Sequence, residues 1–97
     1  MKKISVVGLG YVGSAMAIVL ADARNKKKTF FDVTGLDLNT QTGLARINKL
    51  NSCQFPFKTK DKQIYNKLKK IKKQKNLKAK IFNPKTIQES SVILIST

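Results

Sequence analysis

The stretch VVGLGYVGSAMA, residues 6–17, places three glycines within six residues, between an apolar run and a segment with helical periodicity. Gly8, Gly10 and Gly13 fit the pattern G-x-G-x-x-G. The pattern is weak by itself, but here it follows a predicted strand and opens a predicted helix, the setting in which a glycine turn binds phosphate groups. We expect Gly8 to permit the turn, Gly10 to let a pyrophosphate approach the backbone, and Gly13 to let the helix pack closely.

Strands and helices alternate along the rest of the chain. Residues 3–9 are β-branched and apolar at both alternating sets of positions, which is typical of a strand buried on both faces of a parallel sheet, and residues 30–38 are predicted to form a second strand. Two further strands are predicted at residues 77–82 and 91–96, and the last is also expected to be buried. The predicted order is β-α-β-α-α-β-α-β, which favours an α/β class, Rossmann-like doubly wound parallel sheet with about four strands.

Apolar spacing predicts which helix faces are buried. The first helix ends near Ala23 and carries one candidate stripe of buried apolar residues. A second, short helix is predicted over residues 40–51, and a third lies within residues 60–77. Asn83 before Pro84 predicts a capped fourth helix of one or two turns. The candidate buried positions of the first three helices are Val12, Met16, Val19, Leu20 and Ala23; Leu44, Ile47 and Leu50; and Ile64, Leu68 and Ile71.

An acidic residue ends the second predicted strand. Asp37 follows Gly13 by 24 residues, and a polar loop at residues 24–29 accounts for the extra length. A carboxylate about 20 residues after the glycines accepts hydrogen bonds from the adenosine ribose hydroxyls of a bound dinucleotide. It also repels a 2′-phosphate, so we expect NAD rather than NADP as the cofactor.

Several segments together resemble one enzyme family. KISVVGLGYVG (residues 3–13) and VTGLDLN (residues 33–39) resemble the N-terminal domain of the UDP-glucose/GDP-mannose dehydrogenases, with Tyr11-Val12 as the most distinctive pair. RINKLNSCQFPF and NPKTIQESSVILIS, further along, are similar to two other family segments. Cys53 stands where the family usually has glycine. The cofactor-binding positions that motif and resemblance together imply are Gly8, Leu9, Gly10, Tyr11, Val12, Gly13, Asp37 and Asn39.

The resemblance implies an NAD-dependent oxidoreductase of nucleotide-sugar and polysaccharide metabolism. Family members oxidise the C6 alcohol of a nucleotide sugar to a carboxylate with two NAD molecules in succession, and their catalytic cysteine lies downstream of residue 97. Residues 1–97 are therefore expected to be the N-terminal part of a dinucleotide-binding domain, without the rest of that domain or the catalytic and sugar-nucleotide-binding domains. We expect the 97 residues alone to be inactive, Cys53 to be a packing residue, no catalytic residue among them, and the full-length enzyme to be a homo-oligomer. Another Rossmann NAD-dependent dehydrogenase, of the 6-phosphogluconate or 3-hydroxyacid type, is an alternative that Tyr11-Val12 disfavours.

The chain is strongly basic. It has 20 lysines and arginines against 5 acidic residues, a formal charge of +15, and eleven lysines lie between Lys58 and Lys80. A small nucleic-acid-binding module is therefore a further alternative. The basic stretch carries only one aromatic residue, Tyr65, and no stacking pattern, so a solvated helix face is the favoured interpretation and a nucleic-acid partner is not expected.

Composition bears on metal sites, disulfides and membrane association. Histidine is absent and Cys53 is the only cysteine, so neither a metal site nor an intrachain disulfide is expected. No apolar run approaches the ~20 residues needed to span a bilayer, and no signal peptide is evident. We therefore expect a soluble cytoplasmic protein without a membrane partner.

Overall fold

Strands and helices alternate in the computed structural model, which describes residues 1–26 and 28–96. The predicted order is confirmed, and the loop over residues 24–29 additionally forms a small antiparallel hairpin. Lys27 in that loop, and Thr97, lie outside the described residues. The elements are β1 (Lys2–Val7), α1 (Tyr11–Asp22), β2 (Arg24–Asn25), β3 (Lys28–Thr29), β4 (Phe31–Asp37), α2 (Gln41–Asn51), α3 (Lys62–Gln74), β5 (Leu77–Ile81), α4 (Pro84–Glu89) and β6 (Val92–Ile95).

The main sheet has four parallel strands in the order β5-β4-β1-β6. Val6 in the central strand β1 pairs with Gly35 of β4 on one side and with Leu94 of β6 on the other. The chain runs outward from β1 through β4 to β5 and then crosses back to β6. This is the predicted Rossmann-like arrangement. In such sheets ligands bind beyond the carboxyl ends of the strands at the point where the strand order reverses, here between β1 and β6.

The buried face of α1 differs from the predicted one. Val12 and Val19, which the spacing placed inside, are 61% and 52% exposed. The buried residues are mostly small: Gly13, Ser14, Ala17, Ile18, Ala21 and Asp22. Nearly every position of α1 is apolar or small, so periodicity alone could not choose a face. Small residues face inward because they let α1 lie close to the sheet and to the turn before it.

The faces of α2 and α3 follow the prediction more closely. Ile64, Leu68 and Ile71 are buried along one stripe of α3, and the lysines occupy the wet side. In α2, Ile47 and Leu50 are buried, whereas Leu44 is partly exposed. The fourth helix has its predicted cap, with Asn83 Oδ1 accepting from the backbone N–H groups of residues 85 and 86.

Strand β6 is exposed, and the prediction that it is buried is wrong. Val92, Ile93 and Ile95 are all exposed, the last by 75%. Its sequence is as apolar as that of a central strand, but β6 lies at the edge of the sheet, where β1 is its one partner within residues 1–26 and 28–96. The apolar pattern correctly predicts a strand, but it does not distinguish a central strand from one at the edge of the sheet.

Helix α2 ends in a turn that places Cys53 in a left-handed conformation. Its φ is 55°, its N–H donates to the Leu50 carbonyl, and the next N–H, of Gln54, donates to the Lys49 carbonyl. These two bonds form a Schellman motif, whose left-handed position normally holds glycine. The Cys53 side chain is only half-buried. The fold therefore constrains the backbone conformation at residue 53 more than it constrains the packing of the side chain.

We expect Cys53→Gly to raise the free energy of unfolding by about 1 kcal/mol, because an L-residue pays roughly that amount in the left-handed region. The measurement is urea unfolding followed by circular dichroism. Cys53→Ala is the matched control, since it removes the thiol but keeps the Cβ. Equal stability of the two variants would mean that the backbone conformation at residue 53 is not the source of the gain.

Asp22, near the end of α1, connects that helix to α3. Arg24 Nη2 donates to Asp22 Oδ1 at 2.9 Å, and Lys67 Nζ donates to Oδ2 at 3.2 Å. Burial raises the pKa of Asp22, but the hydrogen bonds from Arg24 and Lys67, together with the nearby positive charges of Lys67 and Lys70, outweigh it and hold the pKa below its ordinary value. The carboxylate therefore stabilises the fold while it is ionised.

Asp22→Asn should lower the free energy of unfolding by about 1–3 kcal/mol at neutral pH, because it weakens two charge-assisted hydrogen bonds. Since the folded pKa lies below the ordinary 3.8, the difference from the parent chain is complete above that pH and disappears as the pH falls through the lowered value. Urea titrations at neutral and acidic pH measure it. Glu89→Gln is the control, because Glu89 is exposed and forms no ion pair among the described residues. A pH-independent difference would contradict the assignment.

Candidate functional site

A glycine turn joins β1 to α1 at the carboxyl edge of the sheet. Gly8 has a φ of 94°, a conformation that favours glycine, and its N–H donates to the Leu36 carbonyl at 2.8 Å. A Cβ on Gly8 would overlap the backbone carbonyl of Ser96, which follows β6. The turn therefore passes close to the ends of β4 and β6, in the crevice where the strand order reverses.

Helix α1 rests directly on this turn. A Cβ on Gly13 would overlap the Gly8 carbonyl oxygen, so the two backbones meet with no space for a side chain. Ser14 closes the turn further, because its Oγ donates to the Leu9 carbonyl at 2.9 Å and its N–H donates to the Gly10 carbonyl at 2.9 Å. These contacts fix where the first turn of α1 points.

Gly10 is the N-cap of α1, and the space beside it is open. A Cβ placed on Gly10 would meet no atom within 4 Å. No side chain caps the helix, and no acidic residue lies in its first turn. The first N–H groups and the positive end of the helix dipole are therefore available to an anion at this position.

Asp37 lies against the glycine turn. It is the last residue of β4; its Oδ2 accepts from the Leu9 N–H at 3.0 Å and its Oδ1 accepts from the Leu38 N–H at 2.7 Å. Two backbone donors therefore fix the orientation of the carboxylate. The fold brings the motif and the acidic residue, far apart in sequence, to one place.

These residues fit a dinucleotide. The glycine turn provides an open position and free helix N–H groups where a pyrophosphate carries charge, and Asp37 provides an acceptor next to it for ribose hydroxyls. Asn39, which was also predicted to bind the cofactor, is exposed in the turn between β4 and α2. Among the described residues it makes no hydrogen bond to the glycine turn.

Tyr11 connects the glycine turn to the segment at residues 55–59. Its ring packs edge-on against Phe55 at 5.2 Å between centroids and lies 5.7 Å from Phe57. Its hydroxyl donates to Thr59 Oγ1 at 2.9 Å. Val12, beside it, is exposed. In the distinctive pair Tyr11-Val12, Tyr11 therefore holds the segment at residues 55–59 against the start of α1.

Arg46 is a residue of the site that the sequence analysis did not single out. Its Nη1 lies 3.7 Å from Asp37 Oδ2, and its guanidinium carbon lies 5.2 Å from the centre of the Phe57 ring. Two signals were available: Arg46 begins the family-like segment RINKLNSCQFPF, and it is one of two arginines in a chain with 18 lysines. Its proximity to Asp37 depends on how α2 and the loop at residue 57 pack, which spacing does not predict.

Neither a cluster of metal-ligating side chains nor a membrane-spanning helix is found among the described residues. Within the part of the chain that the structure describes, no group of three or more histidine, cysteine, aspartate or glutamate side chains could hold a metal ion. Among residues 1–26 and 28–96, no helix has both the length and the apolar character needed to cross a bilayer.

Comparison with known proteins agrees with the geometry. Residues 2–97 match the family model described as the UDP-glucose/GDP-mannose dehydrogenase family, NAD binding domain. No curated protein matches the chain in sequence.

Two dehydrogenases are among the solved structures that share the fold. NDP-N-acetyl-D-galactosaminuronic acid dehydrogenase from Methanosarcina mazei Go1 is similar over 99% of this chain, with a TM-score of 0.81 and 27% identity. GDP-mannose dehydrogenase from Pseudomonas aeruginosa, solved as a ternary complex, is similar over 97% of the chain, with a TM-score of 0.73 and 24% identity. In each case the match covers 19% of the other protein, so the chain spans about a fifth of their length.

Proposed function

The chain belongs to the UDP-glucose/GDP-mannose dehydrogenase family, and from this premise we propose that it is the NAD-binding portion of an enzyme that oxidises the C6 alcohol of a UDP-sugar to a carboxylate. The observation that carries the proposal is the open position at Gly10 next to the carboxylate of Asp37. The open position at Gly10 suits a pyrophosphate, and the carboxylate of Asp37 suits ribose hydroxyls. Both lie at the crevice where a Rossmann-like sheet binds its ligand.

In this proposal each residue of the site has a separate role. Gly8 and Gly13 shape the turn, Gly10 leaves the approach to the backbone open, and the N–H groups at the start of α1 bind the pyrophosphate. Asp37 accepts from the adenosine ribose, while the neighbouring backbone at Leu9 holds its carboxylate in place. NAD, when bound, accepts a hydride from the alcohol carbon of the substrate.

The substrate and the assembly belong to the proposal as well. UDP-glucose and UDP-N-acetylhexosamine are the candidate sugars, and the similarity to an N-acetyl-D-galactosaminuronic acid dehydrogenase supports this class. We place the catalytic residues, the sugar-nucleotide site and the subunit contacts of a cytoplasmic homo-oligomer outside these 97 residues, as parts of a longer enzyme that includes this segment as the N-terminal part of its NAD-binding domain. The 97 residues alone then bind NAD and turn over nothing.

Isothermal titration calorimetry tests the proposal directly. We expect saturable binding of NAD by the chain at physiological salt, and no comparable binding of duplex DNA. Circular dichroism of the same sample establishes that it is folded. A folded chain that gives no response to NAD, and instead binds DNA with a steep salt dependence, would favour the nucleic-acid alternative.

A further inference from the structure

We propose that the groove between α2 and α3 is a binding site for a nucleoside diphosphate, separate from the glycine turn. Two adjoining cavities of about 430 Å³ and about 370 Å³ form this groove, and Ser52, Cys53 and Lys72 line both of them. Volumes of this size are typical of small-molecule sites. Within the part of the chain that the structure describes, neither cavity is lined by the glycine turn or by Asp37. The groove therefore goes beyond the proposed NAD-binding function.

Four lysines concentrate positive charge in the groove. Lys49 of α2 and Lys69 of α3 line the larger cavity, Lys75 lines the smaller one, and Lys72 lines both. Among the described residues no carboxylate lines either cavity, and none of these four lysines forms an ion pair. Lysine ammonium groups bind phosphates as point charges. A diphosphate carries several negative charges, so it gains from more than one of these lysines at once.

The spacing along α3 places these charges beside one aromatic ring. Tyr65, Lys69 and Lys72 follow one another at steps of four and three residues, so they lie on one face of the helix with neighbouring Cβ atoms ~5–6 Å apart. Tyr65 is 44% exposed, which leaves part of its ring open to a ligand. Aromatic rings stack on nucleobases of any sequence. The groove therefore offers a surface for a base next to a site for phosphates.

Asp61 determines the direction in which a nucleotide lies. It precedes Tyr65 by one helical turn, and its carboxylate caps α3 by accepting from the Gln63 N–H at 2.9 Å. This negative charge repels phosphates at the Tyr65 end of the groove, whereas Lys72 and Lys75 attract them at the other end. We therefore place the base at Tyr65 and the diphosphate toward the two lysines.

The floor of the groove is apolar and held in place by the core. Phe55 and Leu68 line the larger cavity and are buried. Tyr11 packs edge-on against Phe55 from the side of the glycine turn. Where the two cavities meet, the Schellman motif fixes the backbone at Cys53. These contacts exist before any ligand arrives, so the floor is preorganised.

Cys53 provides a direct measurement of occupancy, because it is the only cysteine of the chain and lines both cavities. The experiment follows by mass spectrometry the rate at which N-ethylmaleimide, an uncharged reagent, modifies Cys53 as ADP or UDP is added. We expect a saturable decrease in rate, about tenfold when the nucleotide is present at roughly ten times its Kd. Inorganic pyrophosphate should protect Cys53 at several-fold higher concentration, and adenosine should not protect it measurably.

Variants of α3 assign the protection to particular side chains. Lys69→Gln/Lys72→Gln should raise the ADP concentration needed for half-protection about tenfold or more, because it removes charge-assisted hydrogen bonds. Lys62→Gln/Lys73→Gln is the matched control, since it removes two charges from exposed positions of the same helix that line neither cavity. It should change that concentration by less than about threefold. Tyr65→Leu should weaken protection about fivefold or more, and Tyr65→Phe, which keeps the ring, should retain it.

Labelling of the Gly10→Val variant separates the groove from the glycine turn, where the ADP part of NAD is proposed to bind. Protection of Cys53 by ADP should persist in this variant, and its loss would mean that ADP acts from the glycine turn. A rate that millimolar ADP and UDP leave unchanged in a chain shown by circular dichroism to be folded would overturn the proposal. Equal weakening in both lysine pairs, or equally strong protection by duplex DNA, would also overturn it. Failure of the parent chain to bind NAD would instead overturn the proposed function alone.

Discussion

Gly10→Val should abolish measurable NAD binding while leaving the fold intact. The backbone at Gly10 is extended, with φ of −65° and ψ of −171°, so any residue can adopt it, and a Cβ there meets nothing within 4 Å. The valine side chain would occupy the open position through which the pyrophosphate reaches the N–H groups of α1. We expect a loss of about 100-fold or more, equivalent to about 3 kcal/mol of binding energy. Stability should change by no more than about 1 kcal/mol, the cost of a poor N-cap.

The measurement pairs calorimetric titration of NAD with thermal unfolding of the same variant. Gly10→Ala gives a graded comparison, because its single methyl group blocks less of the space than the two methyl groups of valine. The affinities should therefore fall in the order glycine, alanine, valine, with the three unfolding transitions close together. A valine variant that binds NAD as tightly as the parent chain would place the pyrophosphate elsewhere.

The glycine turn was predictable from sequence because its requirements are local. Gly8 needs a φ that favours glycine and sits between a strand and a helix, both of which leave a signal in neighbouring residues. Asp37 was predictable for a similar reason, since it ends a strand that has its own apolar pattern. That Asp37 contacts Leu9 follows from the parallel pairing of β1 and β4, which the alternation of elements already favoured.

The structural features that the sequence did not predict depend on contacts between distant segments. The inward face of α1 was missed because its apolar residues surround the helix, and the close approach to the sheet selects small side chains instead. The exposure of β6 was missed because an edge strand and a central strand can have the same composition. Arg46 was missed because its position relative to Asp37 is set by Phe57, across a loop whose path has no periodic signal.

Gly13→Ala should destabilise the fold by about 3 kcal/mol or more and lose NAD binding as a consequence. The added Cβ would overlap the carbonyl oxygen of Gly8. The backbone of residue 13 fixes the position of the Cβ, and the oxygen belongs to the backbone of Gly8, so neither atom can rotate aside. Relief requires α1 to move away from the turn. That movement would loosen Ser14 from its bonds to Leu9 and Gly10 and separate buried small side chains from the sheet. Because small domains have unfolding free energies of only about 5–15 kcal/mol, this is a large fraction of the total.

Gly10→Ala is the matched control for this prediction, since it makes the same chemical change three positions earlier in the same turn. A methyl group at residue 10 enters open space, whereas one at residue 13 enters a backbone contact. Urea unfolding should therefore separate the two variants by about 2 kcal/mol or more, with Gly10→Ala the more stable. Equal stability would mean that α1 can shift freely from the turn. In that case the close packing at Gly13 would not be what aims the helix N–H groups at the cofactor.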